Sequence, residues 1–154
     1  MKSTKTYCRI INYIGCALVA GMLLLPGAVF SSERMAVKSS KANIRSGPGT
    51  NYDILWEVEK YHPLMIIETQ DKWCRFSDFE GDIGWIYRPL LGKINAVITI
   101  RNKCNVRSGP GKDNAVLFTT DKGIPFKVME KKDGWLQIQH ADGDTGWIHQ
   151  SLVW

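Results

Sequence analysis

The sequence predicts an all-β protein made of two tandem copies of one small unit. The heptapeptide NIRSGPG at residues 43–49 returns as NVRSGPG at residues 105–111, a spacing of 62 residues. The same spacing relates Trp73 to Trp135 without any insertion. A spacing maintained over this length is the signature of a duplication. Short apolar runs separated by turn residues, with no stretch of helical periodicity, indicate β-strands within each copy.

Three segments follow from this repeat and from the composition of the N-terminus. We assign residues 1–31 to a leader, residues 35–92 to the first copy and residues 97–154 to the second copy. Each copy has about 60 residues, a size at which a single core is only marginally sufficient. We therefore expect contact between the copies to add stability, and the short junction to restrict their relative motion.

The N-terminal segment has the organisation of a secretory signal peptide. Three basic residues are followed by an apolar stretch, and Ser31 lies at a small-residue position suited to cleavage. An uncleaved membrane anchor is the alternative, because the apolar run over residues 10–30 is about long enough to span a bilayer. Pro26 and Gly27 interrupt a helix and favour cleavage. We expect an exported protein of the periplasm or cell envelope, with membrane contact only through an uncleaved leader.

The charge distribution gives little support for nucleic-acid binding. The formal charge of +5 falls to +2 when the three basic residues of the leader are removed. No run of Lys or Arg of the kind that follows a phosphate backbone remains. No histidine is duplicated between the copies, and no Cys/His spacing suggests zinc. We therefore expect no nucleic-acid partner, no metal and no cofactor.

The strands are expected at regular intervals. In the first copy their positions follow from those of the second by subtracting the spacing. Several short strands joined by polar turns, with no helix, are typical of a small barrel or sandwich. The strands expected in the second copy lie near residues 97–101, 104–107, 115–119, 125–131, 135–139 and 145–149.

The last two strands of each copy are expected to form a hairpin of defined register. In the second copy they flank a five-residue loop, which places Trp135 opposite His149 and puts Trp147 on the same outer face. The apolar residues between them then face the interior. Gly146, like Gly84 in the first copy, stands where a side chain would fill the interior or block a close backbone approach.

Cys74 and Cys104 are the two cysteines outside the leader. In an oxidising compartment we expect them to be either both reduced or joined to each other. One hypothesis is a very small enzyme that uses Cys74 as nucleophile and a histidine as base. Cys74 is expected on the inner, apolar face, however, which suits a buried structural thiol. No acid/base pair is evident, so we expect a protein that is not an enzyme and has no catalytic residues.

The ordered motifs of each copy resemble those of the bacterial SH3-like (SH3b) domain. They are N-[IV]-R-S-G-P-G, a tryptophan after a turn, and G-D-x-G-W-I near the end. The resemblance covers nearly all of the chain after the leader. It implies a five- to six-stranded SH3-type β-barrel for each copy, with a long RT-like loop at residues 46–53 and 108–115. The expected fold class is therefore all-β, with two tandem small SH3-like β-barrels.

This resemblance gives the repeated heptapeptide a structural role. Gly47 and Gly49 are expected to adopt backbone angles denied to other residues, while Pro48 fixes one angle between them. Arg45 and Arg107 are expected to hold the RT-like loops through hydrogen bonds to loop carbonyls.

The resemblance also points to candidate ligand-binding residues. The tryptophan after the turn matches the one that lines the ligand groove in SH3-type folds. The first copy is richer in aromatic residues, and a polar-rimmed aromatic groove suits peptides or sugars. The alternative is that these aromatic side chains only stabilise the fold. The candidate residues are Trp73, Trp135, Tyr52 and Tyr87.

The function implied by the resemblance is that of a non-catalytic, exported binding module of the bacterial cell envelope. It would recognise peptidoglycan peptides or glycan, as similar SH3-like domains do when fused to wall hydrolases. The alternative is an envelope adaptor or assembly factor that binds a protein partner.

Overall fold

The computed structural model describes residues 33–154, which form two antiparallel β-sheets, one in each copy. The predicted leader, residues 1–31, lies outside the described residues. Within residues 33–154, no helix is long and apolar enough to cross a membrane. The prediction of an all-β fold is confirmed.

The first sheet has seven strands in the order β3-β2-β6-β5-β4-β1-β7. A one-turn 3-10 helix, Arg88–Leu90, precedes the last strand. The strands are β1 Glu33–Val37, β2 Lys41–Arg45, β3 Ile54–Glu59, β4 Pro63–Gln70, β5 Trp73–Ser77, β6 Ile83–Tyr87 and β7 Leu91–Gly92.

The second sheet has six strands in the order β10-β9-β13-β12-β11-β8, which repeats the order of the first. The strands are β8 Ala96–Ile98, β9 Cys104–Arg107, β10 Val116–Thr120, β11 Pro125–Lys132, β12 Trp135–Gln139 and β13 Thr145–His149, followed by the 3-10 helix Gln150–Leu152. These bounds agree with the predicted strands except for β8, which ends early. The buried Thr99 hydroxyl donates to the carbonyl of Asp121. Thr99 also forms an isolated antiparallel bridge with Val153, so pairing continues beyond the end of β8.

The predicted hairpin register is confirmed in both copies. Trp135 pairs with His149 across β12 and β13, and Trp73 pairs with Tyr87 across β5 and β6. The residues predicted to face inward are buried, because each hairpin has one face on a hydrophobic core. Trp147 is also buried although it lies on the outer face.

Each copy has its own hydrophobic core. Phe76 on β5 is the large aromatic residue of the first core, and Phe126 on β11 is that of the second. At the repeat-equivalent positions stand Ile138 and Leu64, both fully or almost fully buried. The large aromatic side chain therefore lies on β5 in the first copy and on β11, the counterpart of β4, in the second. The two cores contain the same pair of side-chain sizes in exchanged positions, which keeps the total volume nearly constant.

The two copies contact each other through side chains near their junction. The Arg34 guanidinium on β1 donates to the carbonyl of Trp154 at 2.6 Å and to that of Ala96 at 3.3 Å, and it stacks 4.0 Å from the centroid of the Trp154 ring. A second contact joins Lys122 to the carboxylate of Glu80. The contact between the copies agrees with the expectation from the sequence. Arg34 provides two of its hydrogen bonds, and both acceptors are backbone carbonyls.

His62 lies in a cleft between the copies, and its Nε2 is buried without a hydrogen-bond partner among residues 33–154. Burial lowers the pKa of His62 below its usual value of 6.5, while the negative charges of Asp78 and Glu59 oppose this effect. The unfolded chain therefore binds a proton more readily than the folded protein. We expect the free energy of unfolding to fall as the pH is lowered through about 6.5. Urea unfolding at a series of pH values measures this slope.

The repeat supplies a matched variant for this measurement. Ile124 occupies the position equivalent to His62, so His62→Ile introduces a side chain that the same fold already accommodates. This variant is expected to show a smaller dependence of the free energy of unfolding on pH than wild type. An identical slope in wild type and His62→Ile would contradict the prediction.

Candidate functional site

Each copy has a groove at the same place, between the RT-like loop and the outer face of the hairpin. The first groove encloses about 640 Å³ and contains Trp73; the second encloses about 420 Å³ and contains Trp135. Most of their lining residues are related by the repeat spacing. The equivalent lining positions are 41 and 103, 42 and 104, 43 and 105, 45 and 107, 50 and 112, 73 and 135, 87 and 149, and 90 and 152.

The aromatic pairs of the two grooves follow directly from the hairpin register. The Trp73 and Tyr87 ring centroids lie 5.5 Å apart at an interplanar angle of 56°. In the second groove, Trp135 and His149 lie 5.3 Å apart at 76°. All four rings are half-buried and line their grooves. The structure thus brings Trp73 and Tyr87 together, and it places Trp135 at the equivalent site.

Tyr52 lies outside the first groove. Its ring is 42% exposed and covers Gly47 and Gly49 of the RT-like loop, where an added Cβ would overlap its atoms or crowd them. Asn114 takes the same place against Gly109 in the second copy. The structure therefore gives Tyr52 a role in the loop and does not bring it together with the other candidate residues.

The reason predicted for the loop glycines is wrong at Gly47 and Gly49. Neither has a positive φ, so the backbone angles there do not require glycine. The structure shows a steric reason instead, because the absence of a Cβ lets the Tyr52 ring lie against the backbone. Gly111, the counterpart of Gly49, does have a positive φ, of +154°.

The predicted role of the two arginines is confirmed. Arg45 donates from Nη1 to the carbonyls of Tyr52 at 2.7 Å and Thr50 at 3.2 Å. Arg107 donates from Nη1 to the carbonyl of Asn114 at 2.8 Å. These charge-assisted bonds fix the RT-like loop that forms one wall of each groove.

The electrostatics of the two grooves differ. In the first groove Lys41 Nζ lies 2.7 Å from Glu57 Oε1, and this hydrogen bond and charge raise the pKa of Lys41. Thr119 stands at the position of Glu57 in the second copy, so Lys103 has no equivalent partner there. The second groove is lined by four cationic side chains and no carboxylate: Arg101, Lys103, Arg107 and Lys112.

Sequence reasoning missed Lys41 and Glu57 in the first groove, and Arg101, Lys103 and Lys112 in the second. The repetition of Lys at 41 and 103, next to the repeated heptapeptide, was an available signal. The pairing of Lys41 with Glu57 depends on the register of β2 against β3, which the motifs do not specify.

The grooves offer aromatic faces, hydrogen-bond donors and charges suited to binding. Within residues 33–154, no group of His, Cys, Asp and Glu side chains is arranged to hold a metal ion. Cys74 and Cys104 are free and buried in separate cores. The Cys104 thiol donates to the carbonyl of Arg101 at 3.1 Å, and burial raises the pKa of Cys104.

Both thiols are therefore expected to react slowly with a disulfide reagent in the native protein at neutral pH. The reagent must reach the thiolate, and both thiols are buried; burial also raises the pKa of Cys104. Reaction should become rapid and complete in urea. The absorbance of the released thiolate, followed with and without urea, measures this difference. Rapid labelling of Cys74 in the folded protein would contradict the expectation.

The chain is similar to parts of larger known proteins. The putative N-acetylmuramoyl-L-alanine amidase YrvJ of Bacillus subtilis (strain 168) is 27% identical over 128 residues, which cover 76% of this chain and 24% of that protein. The probable cell wall amidase LytH of Staphylococcus epidermidis is 35% identical over 52 residues, 33% of this chain and 18% of its own. The chain thus spans a quarter or less of the length of these relatives.

A solved structure of an NlpC/P60 family protein from Bacillus cereus ATCC 10987 aligns with 79% of this chain and 56% of its own, with 9% identity and a TM-score of 0.39. The family model described as the bacterial SH3 domain matches residues 38–93 and again residues 101–154. These two matches cover each groove in turn, and all strands of each sheet except the first ones, β1 and β8. The chain therefore belongs to the bacterial SH3 domain family and carries two tandem copies of its domain.

Proposed function

We propose that the protein is a non-catalytic binding module of the bacterial cell envelope, and that it binds peptidoglycan through the two grooves. The observation that carries the proposal is the repetition of the groove itself. The same lining positions, with a tryptophan packed against the ring opposite it, recur in both copies. Exposed aromatic faces with polar rims suit sugars and peptides.

The relatives support the choice of ligand. Both are described as amidases, one of them of the cell wall, and each matches this chain over a minor part of its length. We infer that the shared part serves attachment to the wall and that an exported location goes with it. The buried thiols of Cys74 and Cys104 support a binding role without catalysis.

Co-sedimentation with purified peptidoglycan sacculi tests the proposal. The protein used comprises residues 33–154, because both hydrophobic cores are built from residues within that range. Wild type is expected to pellet with sacculi, whereas the double variant Trp73→Ala/Trp135→Ala should remain in the supernatant. Circular dichroism melting must show that the variant is folded.

A matched control uses another pair of repeat-equivalent apolar residues. Ile67 and Met129 are exposed and lie outside both grooves. The variant Ile67→Ala/Met129→Ala should pellet as wild type does. Equal loss of binding in both double variants would count against the grooves as the binding site.

A protein partner is the second candidate, and one observation favours it. The strands at the β3 and β10 edges of the two sheets carry equivalent exposed apolar pairs, Ile54–Leu55 and Val116–Leu117. Exposed apolar residues on an edge strand suit pairing with another chain. If wild type does not pellet with sacculi, this adaptor function replaces peptidoglycan binding as the better proposal.

A further inference from the structure

We propose that the two grooves differ in ligand preference, and that the second groove selects peptides bearing carboxylates while the first does not. This inference rests on the proposed function, because it names the part of a wall ligand that one groove would hold. Three residue differences between the copies support it, and each makes the second groove more positive than the first.

The first substitution removes a carboxylate. Glu57 neutralises Lys41 in the first groove, and Thr119 replaces it in the second. Lys103 keeps its charge there without a carboxylate among the lining residues. Asp121 does lie near Lys103, but its Oδ1 accepts the backbone amide of that residue at 3.1 Å and it does not line the groove. The ammonium group of Lys103 is thus available to a ligand.

The other two substitutions add cations. Arg101 stands where the first copy has Ser39, and Lys112 where it has Thr50. Both are exposed residues that line the second groove. With Lys103 they form a basic rim, defined here as Arg101, Lys103 and Lys112.

The net charges of the grooves summarise the difference. The second groove has four cations and no carboxylate, so its formal charge is +4. In the first groove Lys41 and Arg45 are offset by Glu57, which leaves +1. A cationic groove concentrates anionic ligands and repels cationic ones. Because the rim is exposed to solvent, salt is expected to weaken this preference.

The shape of the second groove indicates a peptide as the carrier of the negative charge. Its wall is formed by the Trp135 and His149 rings and by the partly buried Leu152. An aromatic and aliphatic wall contributes to binding a peptide but offers little to a bare phosphate chain. The three rim cations line the same groove as these apolar side chains, so a peptide can meet both a charge and an apolar wall there.

The experiment compares two synthetic peptides of matched length. The acidic probe is N-acetyl-Ala-Glu-Ala with free carboxylates, and the neutral probe is N-acetyl-Ala-Gln-Ala amide. Each is titrated into residues 33–154 at low salt while NMR follows the indole N–H signals of Trp73 and Trp135. The acidic probe is expected to shift the Trp135 signal at about tenfold lower concentration than the neutral probe. The Trp73 signal should show no such preference.

Exchange of residues between the copies sharpens the test. Thr119→Glu restores to the second groove the carboxylate that the first has, and it should weaken the preference at Trp135. Glu57→Thr should create a preference at Trp73. Both positions are exposed, so the fold is expected to tolerate them. Lys41→Gln is the control, which should leave the Trp135 response unchanged.

Several results would overturn the inference. They are equal responses of Trp135 to both probes, an unaltered preference in Thr119→Glu, or tighter binding of poly(glycerol phosphate) than of the acidic probe at the second groove. Sacculus binding by a protein that shows no peptide preference would overturn this inference alone. Preference for the acidic probe without any sacculus binding would overturn the proposed function alone.

Discussion

Truncation of Phe76 to alanine is expected to lower the free energy of unfolding of the first copy by about 3–5 kcal/mol. The Phe76 side chain is fully buried in the first core, and its ring meets the ring of Trp56 edge-on at 6.4 Å. A unit of this size has a total stability of similar magnitude. The first copy of the Phe76→Ala variant should therefore be largely unfolded while the second copy keeps its structure.

Hydrogen exchange measured by mass spectrometry locates this effect. Peptides from β2 to β6 are expected to exchange rapidly in Phe76→Ala, whereas peptides from β9 to β13 stay protected. Uniform loss of protection in both copies would show instead that the two cores unfold as one unit.

The exchanged side chains of the two cores provide a rescue. Leu64→Phe alone is expected to overpack the first core, and Phe76→Ile alone to leave a cavity. Together they reproduce the pair found at Phe126 and Ile138. The two residues lie diagonally across β4 and β5 and face the same core, so their effects should couple. The free energy of unfolding should fall less in the double variant than the sum of the two losses in the single variants. Additive losses would contradict this.

Addition of a methyl group at Gly84 or Gly146 is expected to destabilise its copy by about 1–3 kcal/mol. A Cβ at Gly84 would overlap Cγ2 of Ile44, and one at Gly146 would lie 2.5 Å from Cγ1 of Val106 and 3.1 Å from the carbonyl oxygen of Arg107. Gly146→Ala should cost more, because a backbone oxygen cannot move aside as a side chain can. Urea unfolding of both variants measures the two costs.

Gly92 provides the control for this pair. Its φ is not positive, and the nearest atom to an added Cβ lies 3.6 Å away, an ordinary contact distance. Gly92→Ala should change stability little. A Gly146→Ala variant as stable as Gly92→Ala would show that β9 can shift to accept the methyl group.

The hairpin register could be predicted from the sequence. The charged pair of the first groove and the position of Tyr52 could not. Alternation between Trp135 and His149 fixes the register because one face of the hairpin is buried, and a slip by one residue would expose the whole apolar set. The arginine in each heptapeptide could likewise be assigned, since the loop that it bonds follows directly in sequence.

Features that depend on distant pairing were beyond the sequence argument. Lys41 meets Glu57 only because β2 and β3 pair across a loop with a register shift. Tyr52 was expected at the groove for its chemistry, but loop packing against Gly47 decides its position. Thr99, directly after β8, forms its bridge with Val153 near the other end of the second copy.

The contact that Arg34 makes with the second copy has a consequence for how a polymer is bound. By donating to the backbone carbonyls of Ala96 and Trp154, Arg34 helps to hold the second copy against the first. A polymer that presents a suitable group to each groove at a matching interval would occupy both, and the second engagement would then be intramolecular. Such avidity can exceed the affinity of either groove by about 10²–10⁴, and it is lost where the interval does not match. The two copies would thus select a ligand by the spacing of the groups along it as well as by their chemistry.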